Sequence, residues 1–176
     1  TAKENGMYNT TSTCSFKYMP DEEEQDKAWQ KIERGKTDYE RENWYNHDAK
    51  RIYKEDAFEF IIETVGVFSN HEILKKALDI IIEKLKNIRE NKITIINGLN
   101  TMANSYDIKL NNEDYTIGKI LEYAFHEQYF KNEKILTFVG FNKAHPHDDF
   151  SIIRVAFKKS TEKTELENLL VKSCEK

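Results

Sequence analysis

The segment 106–157 constrains the fold most, because it carries the side-chain patterns of strands and of a helix in a fixed order. Residues 106–110 alternate as a half-buried strand does, and a run of turn-forming residues ends that strand. A helix capped by Asp114 or Thr116 is predicted next, because apolar side chains three and four positions apart form one wide face: Ile117, Ile120, Leu121, Ala124, Phe125 and Tyr129.

Two runs rich in strand-forming residues follow, 134–141 and 150–157, and a turn around Pro146 joins them. The segment therefore predicts a small antiparallel sheet with a helix packed on it. Gly118 interrupts the apolar face of that helix, where a glycine costs about 1 kcal/mol relative to alanine. We expect Gly118 to allow close approach of another backbone or of a bulky side chain.

Three stretches of this segment, 112–121, 139–146 and 152–155, read NEDYTIGKIL, VGFNKAHP and IIRV. In order and spacing they resemble the signature of the α-like assembly subunits of multisubunit RNA polymerases. The similarity is to the smaller subunit of the pair, called L in archaea and the eleventh subunit in eukaryotic polymerase II. Three positions depart from the usual residues of the signature: Tyr115 replaces His, Lys119 replaces Asn and Ala144 replaces Pro.

The amino-terminal third contains one strand pattern and one helix pattern. Residues 12–18 alternate as a strand does and end near Pro20. The acidic run after Pro20 favours the first turn of a helix over 21–34, because carboxylates there interact well with the helix dipole. Residues 36–51 carry aromatic side chains without a clear period, so we predict a surface loop or an insertion there.

A strong strand is predicted over 58–67, and Ser69 and Glu72 then form a capping box that starts a helix over 70–88. Its apolar side chains form a stripe that Ile80 and Ile82 widen, which predicts contacts on more than one side. The stripe consists of Ile73, Leu74, Ala77, Leu78, Ile81, Leu85 and Ile88.

Residues 58–85 resemble the carboxy-terminal part of the larger α-like subunit, called D in archaea and the third subunit in eukaryotes. The matching runs are ETVG, EIL and ALDIIIEKL. Residues 2–20 are similar to the stretch that returns the chain of that subunit from an inserted domain to its dimerisation domain. The resemblance implies that the first half is incomplete at its amino terminus, since the early strand and first helix of the larger subunit have no counterpart.

Two subunits that are usually separate are thus expected in tandem, as in the polymerase of a large nucleocytoplasmic DNA virus. The larger half covers 1–88, a linker with a possible short strand at 93–96 covers 89–105, and the smaller half covers 106–176. A closing helix is predicted over 164–174, with a capping box formed by Thr164 and Glu167. The predicted fold class is α+β, with two α-like dimerisation halves, each a small antiparallel sheet with packed helices.

Composition argues against several functions. The chain has 31 acidic and 27 basic residues and a net charge of −4, which is too little positive charge for the electrostatic footprint of a nucleic-acid-binding protein. No apolar run of about 18 residues predicts a transmembrane helix. Cys14 and Cys174 form no C-x-x-C pair and are expected to be free thiols in a reducing compartment.

Motifs for a catalytic nucleophile, for a phosphate-binding loop or for a cofactor are missing from the sequence. We therefore expect no catalytic residues and no cofactor. Four potential metal ligands, His145, His147, Asp148 and Asp149, are close together in sequence, which leaves a metal-dependent enzyme as an alternative. Their place in a tight turn beside Pro146 favours roles as turn formers and caps over metal binding.

The resemblance implies a non-catalytic assembly subunit of a DNA-directed RNA polymerase. Its halves would pair within the chain, and first the second-largest and then the largest catalytic subunit would assemble on them, together with small subunits. Direct contact with nucleic acid or membrane is not expected. The implied location is intracellular, in the host cytoplasm or nucleus, with packaging in the virion as a further option. A free-standing dimerisation module is the other alternative.

The residues expected to carry assembly fall into three groups. We expect the inter-half interface to include Ile117, Gly118, Leu121 and Phe125, so that Gly118→Leu would weaken association of the halves. The helix of the larger half would contribute Leu74, Leu78, Ile81 and Leu85. The motif positions that shape the sheet edge and its turn are Phe141, His145, Pro146 and Arg154.

Overall fold

The computed structural model describes residues 5–32, 37–91, 93–98 and 102–175. The fold is α+β, with one two-stranded and one four-stranded antiparallel sheet and helices, which confirms the predicted fold class. The chain divides into two compact units, Thr1–Lys75 and Lys76–Lys176. The predicted boundaries of the two halves, at 88 and 106, follow from the resemblance and stay a prediction.

The first unit is built around a two-stranded ribbon. Its elements are a 3₁₀ turn (Gly6–Tyr8), β1 (Thr11–Pro20), α1 (Glu22–Gln30), α2 (Asp38–Asn46), a second 3₁₀ turn (Ala49–Arg51), β2 (Tyr53–Thr64) and the first turns of α3 (Asn70–Glu90). The strands β1 and β2 pair antiparallel, so that Phe16 lies opposite Phe60 and Tyr18 opposite Phe58.

Of the two alternatives for 36–51, the surface loop is wrong, because α2 occupies most of that segment, and the insertion stays a prediction. A capping box starts α2: Glu40 N donates to Thr37 Oγ1, and Thr37 N donates to the Glu40 carboxylate. The rings of Trp29, Trp44 and Tyr45 contact one another and pack α2 on α1. Ring contacts between two short helices therefore order the segment without a periodic apolar stripe.

The helix α3 begins with the predicted capping box. Glu72 N donates to Ser69 Oγ at 3.3 Å, and Ser69 N donates to Glu72 Oε2 at 2.8 Å. The hydrogen bonds that Ser69 N and Ser69 Oγ donate to the Glu72 carboxylate hold the pKa of Glu72 below its usual range. The helix runs on to Glu90, two residues beyond the predicted end.

The second unit contains a four-stranded sheet in the order β3-β4-β6-β5, with all neighbours antiparallel. Its elements after α3 are β3 (Thr94–Asn97), β4 (Ser105–Asn111), α4 (Tyr115–Phe125), a π-helical segment (His126–Asn132), β5 (Leu136–Asn142), β6 (Phe150–Phe157) and α5 (Lys163–Glu175). The predicted short strand in 93–96 is confirmed as β3. The predicted helix to Tyr129 ends as an α-helix at Phe125 and continues with π geometry.

The closing helix α5 begins at Lys163, so Thr164 lies inside its first turn and the predicted capping box of Thr164 and Glu167 is wrong. The carbonyl of Glu162 accepts hydrogen bonds from the backbone N–H groups of Glu165 and Leu166. The helix therefore begins one residue before the predicted start at 164. The core of the unit lies between the sheet and the helices, and Ile108, Leu121, Phe125, Ile153 and Leu166 are fully buried in it.

The carboxy-terminal part of α3 belongs to this core. Ile81, Leu85 and Ile88 are partly buried against it. Lys84 Nζ lies 2.8 Å from the carboxylate of Glu113, just before α4. Among the described residues, none of the helices combines the length and the apolar composition that crossing a membrane requires.

Candidate assembly surfaces

The first two stretches that carry the resemblance meet at the amino-terminal end of α4, and the third pairs with the second across β5 and β6. Asn112 N donates to the Asp149 carbonyl at 2.6 Å, so the end of β4 is joined to the turn before β6. Ser151 Oγ, buried on β6, donates to the Glu113 carbonyl at 3.0 Å. Residues far apart in sequence thus fix one local structure.

Asp114 caps α4, as one of the two predicted caps. Its Oδ1 accepts from Tyr115 N at 2.7 Å, and its Oδ2 lies 3.4 Å from Lys143 Nζ on the connection after β5. The ring of Tyr115, which stands where the signature has His, contacts the ring of Phe141 edge-on at 5.3 Å. Both contacts join the start of α4 to the motif around Phe141.

Gly118 lies directly against the ring of Phe141. A Cβ atom built on Gly118 would be 2.0 Å from Phe141 Cε2, so no other residue fits without movement. The prediction that a bulky side chain approaches Gly118 closely is therefore confirmed. The neighbour is a residue of β5 in the same unit.

Glu122 lies one turn after Gly118 on α4 and also binds Phe141. Sequence reasoning did not identify Glu122. Its Oε1 accepts from Phe141 N at 3.0 Å, and its Oε2 accepts from Lys119 Nζ at 2.5 Å. Burial raises the pKa of Glu122, but the hydrogen bonds from Lys119 and Phe141 outweigh burial and leave the pKa below its usual range. The available sequence signal was the position of Glu122, one helical turn after Gly118.

The residues predicted for the inter-half interface on α4 lie in the core of the second unit. Ile117, Leu121 and Phe125 are fully buried there, and Gly118 is buried beside them. Each already has an apolar environment within its own unit. A role of these residues in contact between the halves stays a prediction.

Arg154 forms a bidentate ion pair with Asp107, a residue that sequence reasoning missed. Arg154 Nε and Nη2 each lie 2.6 Å from a carboxylate oxygen of Asp107. The two residues face each other on β6 and β4, on the opposite side of the sheet from Ile108 and Ile153. The Asp107 side chain is 5% exposed and that of Arg154 is 34% exposed, and the hydrogen bonds raise the pKa of Arg154.

The residues of the metal alternative form a hydrogen-bonded turn. Asp148 Oδ2 accepts from His145 N at 3.1 Å, and His145 Nδ1 accepts from His147 N at 3.2 Å. Asp148 and one ring nitrogen of His145 therefore serve as caps within the turn. In the part of the chain that the structure describes, no group of three or more His, Cys, Asp or Glu residues is placed to hold a metal ion.

The thiols differ in environment. Cys14 is exposed on β1, whereas Cys174 on α5 is partly buried. Burial raises the pKa of Cys174 to about 11, against a smaller opposite effect of Arg89. Cys174 is therefore a neutral thiol at physiological pH and a poor nucleophile.

An exposed aromatic face on the β1–β2 ribbon was not predicted. We define it by five side chains whose rings contact one another and which are 40% to 65% exposed: Phe16, Tyr18, Tyr53, Phe58 and Phe60. Their alternation along both strands was the available signal. A patch of this kind on a folded protein is typical of a contact surface.

The helix α3 exposes a second apolar surface. Leu74 and Leu78 continue the stripe of Ile81, Leu85 and Ile88 toward the amino terminus, but they remain about half exposed. Predicted contacts of Leu74 and Leu78 with a partner therefore have an accessible surface.

These features are exposed apolar surfaces and structural hydrogen bonds. A comparison with models of protein families finds none that matches the chain, and a search of curated proteins finds no significant sequence match. Any functional conclusion therefore depends on the residues and contacts described above.

Proposed function

We propose that this chain is a non-catalytic assembly subunit of a DNA-directed RNA polymerase, of the α-like type. The convergence of the three motif stretches carries the proposal. Gly118 and Asp114 of the first stretch contact Phe141 and Lys143 of the second, and Phe141 pairs with Ile153 of the third across β5 and β6. Motif residues that build one structure are better support for a resemblance than the same residues scattered over the surface.

The exposed apolar side chains support an assembly role over an enzymatic one. Leu74 and Leu78 on α3, and the aromatic face of the ribbon, offer apolar surface to other chains. Large polymerase subunits need such surfaces on their platform, because stable interfaces have an apolar centre.

In this proposal the two α-like halves pair within the chain. The second-largest catalytic subunit and then the largest subunit assemble on them, together with small polymerase subunits. The chain contributes no catalytic residue and no direct contact with nucleic acid. Its place is in the transcription machinery of a large nucleocytoplasmic DNA virus, in the host cytoplasm or nucleus.

The test is affinity purification of the protein from its native source with a tag at the carboxy terminus. The expected result is recovery of two very large polypeptides, with template-dependent RNA synthesis by the purified complex. Leu74→Glu combined with Leu78→Glu should lower that recovery at least tenfold. Lys76→Gln combined with Lys86→Gln changes the net charge of α3 by the same amount at two exposed polar positions and should not lower the recovery. Circular dichroism of each variant checks that the chain is folded.

A dimerisation module is the second candidate, because the same exposed apolar surfaces suit contact with any protein. Recovery of the chain with copies of itself alone would favour the module and contradict the polymerase proposal. Large polypeptides without RNA synthesis would contradict it as well.

A further inference from the structure

A cavity of about 570 Å³ lies between α1 and α2 of the first unit, and we call it the α1–α2 cavity. Clefts that bind ligands have volumes of about 300–1,000 Å³, so this one is large enough for a long side chain. Its wall consists of seven side chains, four of which are carboxylates: Glu22, Gln25, Asp26, Asp38, Arg41, Glu42 and Tyr45.

Gln25 is the buried part of that wall and is 7% exposed. Its Nε2 donates to the carbonyls of Ala49 and Ile52, both at 2.9 Å. Because carbonyl oxygens hold the amide nitrogen, Oε1 lies on the other arm of the amide, where no described residue donates to it. The described residues contain no fully buried side-chain oxygen without a partner, so Oε1 is accessible from the cavity that Gln25 lines. An unpaired acceptor on a buried side chain requires a donor from outside the chain.

Three carboxylates on the wall have no partner either. In the described ranges, the side chains of Glu22, Asp38 and Glu42 form neither a hydrogen bond nor an ion pair. The helix dipole accounts for Glu22 and Asp38, which lie in the first turns of α1 and α2, but it does not account for Glu42. Carboxylates that line one cleft concentrate its negative potential and attract cations.

The other polar side chains leave the wall negative. Asp26 accepts a hydrogen bond from the Tyr45 hydroxyl, and that hydrogen bond raises the pKa of Tyr45. The Arg41 guanidinium lies over the Tyr45 ring, 5.6 Å from its centre. Four carboxylates against one guanidinium give the wall a formal charge of −3. The cavity therefore offers acceptor oxygens and negative charge to a cationic donor.

We propose that the α1–α2 cavity binds an arginine-bearing segment of a partner protein. A guanidinium group has five N–H donors and no acceptor, and its planar fork matches a carboxylate while a further N–H reaches Gln25 Oε1. A metal ion suits the wall less well, because the described residues hold no group of three or more His, Cys, Asp or Glu placed for one. This inference does not depend on the polymerase role.

The surface beside the cavity favours a protein over a free polyamine. A second cavity of about 390 Å³ shares Glu22 with the first, and its wall includes Asp21, Glu23 and the exposed Met19. Methionine and arginine are both enriched in interfaces between proteins. The net charge of −4 selects against a second copy of this chain and against nucleic acid, since both are negative.

The test measures the binding of labelled synthetic peptides to the full chain by fluorescence anisotropy. The probe carries three arginines in a background of serine and glycine, and two otherwise identical peptides carry lysine or glutamine instead. The arginine peptide should bind at least tenfold more tightly than the glutamine peptide and more tightly than the lysine peptide. In NMR spectra it should shift the side-chain amide signals of Gln25.

Matched variants separate this cavity from general charge attraction. Glu22→Gln combined with Glu42→Gln should weaken binding of the arginine peptide at least tenfold. Glu55→Gln combined with Asp56→Asn removes the same charge from exposed positions of β2 and should weaken it less than twofold. Circular dichroism checks that each variant is folded.

Three results would overturn the proposal. The first is equal binding of the arginine peptide and either of the other peptides. The second is equal weakening by the two double variants. The third is displacement of the arginine peptide by an equal concentration of spermidine, which would make a free polyamine the occupant.

Discussion

The four-stranded sheet of the second unit and the two-stranded sheet of the first differ in what covers their apolar side chains. On β6, Ile153 and Val155 are fully buried under helices, whereas on β2 Phe58 and Phe60 remain 42% and 65% exposed. Both strands alternate with the same period. Alternation therefore indicates that a strand has an apolar face, but the chain around it decides whether that face is core or surface.

The ion pairs of the two sheets differ in the same way. Asp107 and Arg154 face each other across β4 and β6, and Lys17 and Glu59 face each other across β1 and β2. The second pair spans 2.9 Å with both side chains more than half exposed, so water screens it. The first pair includes a carboxylate that is almost fully removed from water.

The largest expected difference is between core rings and ribbon rings. Phe125→Ala should lower the free energy of unfolding by about 3–5 kcal/mol, because it leaves a cavity in a closed core. Phe60→Ala should cost about 1 kcal/mol or less, because the ring loses only contacts with its exposed neighbours. Urea unfolding followed by circular dichroism measures both. Equal losses would show that the ribbon is as well covered as the core.

The ion pairs give the next largest difference. Arg154→Met should cost about 2–3 kcal/mol, because it leaves the Asp107 carboxylate without its ionic partner in a site that water hardly reaches. Lys17→Met is the matched change in the other sheet and should stay within about 0.5 kcal/mol. The same unfolding measurement applies. A loss of unfolding free energy for Lys17→Met as large as that for Arg154→Met would show that the Lys17–Glu59 pair is not screened by water.

The close packing of α4 on β5 gives a smaller effect. Gly118→Ala should lower the free energy of unfolding by about 1–2 kcal/mol, because the clash with Phe141 outweighs the gain in helix propensity of about 1 kcal/mol. Adding Phe141→Leu should recover part of the loss.

Gly140→Ala is the control for Gly118→Ala, because its Cβ would meet the ring of Phe138, which is partly exposed and swings outward. Its expected cost is below about 0.5 kcal/mol. A loss as large as that of Gly118→Ala would remove the close-packing argument.

Local signals predicted the elements of this fold where hydrogen bonds within a few residues decide them. The capping box of Ser69 and Glu72 is one case, since both partners lie in one turn of chain. The start of α5 is the opposite case, because Thr164 and Glu167 fit the same pattern but the helix begins before them. The helix α2 was missed although Thr37 and Glu40 form a capping box at its start, because no periodic apolar stripe follows them and the packing of α2 comes from ring contacts with α1.

The sequence predicted several residues of the candidate site but not the residues that they contact. Gly118 predicted a bulky neighbour, but the identity of that neighbour depends on how β5 lies beside α4. Arg154 was singled out through the resemblance, whereas its partner Asp107 needed the register of β4 against β6. The exposed aromatic face was not predicted, because alternation along a strand shows that one face is apolar but not whether another element covers that face.

The smallest expected effect concerns pH. Because the folded-state pKa of Glu122 lies below its unfolded value of about 4.3, its contribution to stability is present above that pH and is lost as the pH falls through the folded pKa. Glu122→Gln should cost less than about 1 kcal/mol at pH 7 and flatten the acid side of the stability profile. Urea unfolding between pH 7 and 3 measures this. Lys119→Met should flatten the profile in part, and profiles identical to the unaltered chain would contradict the assignment.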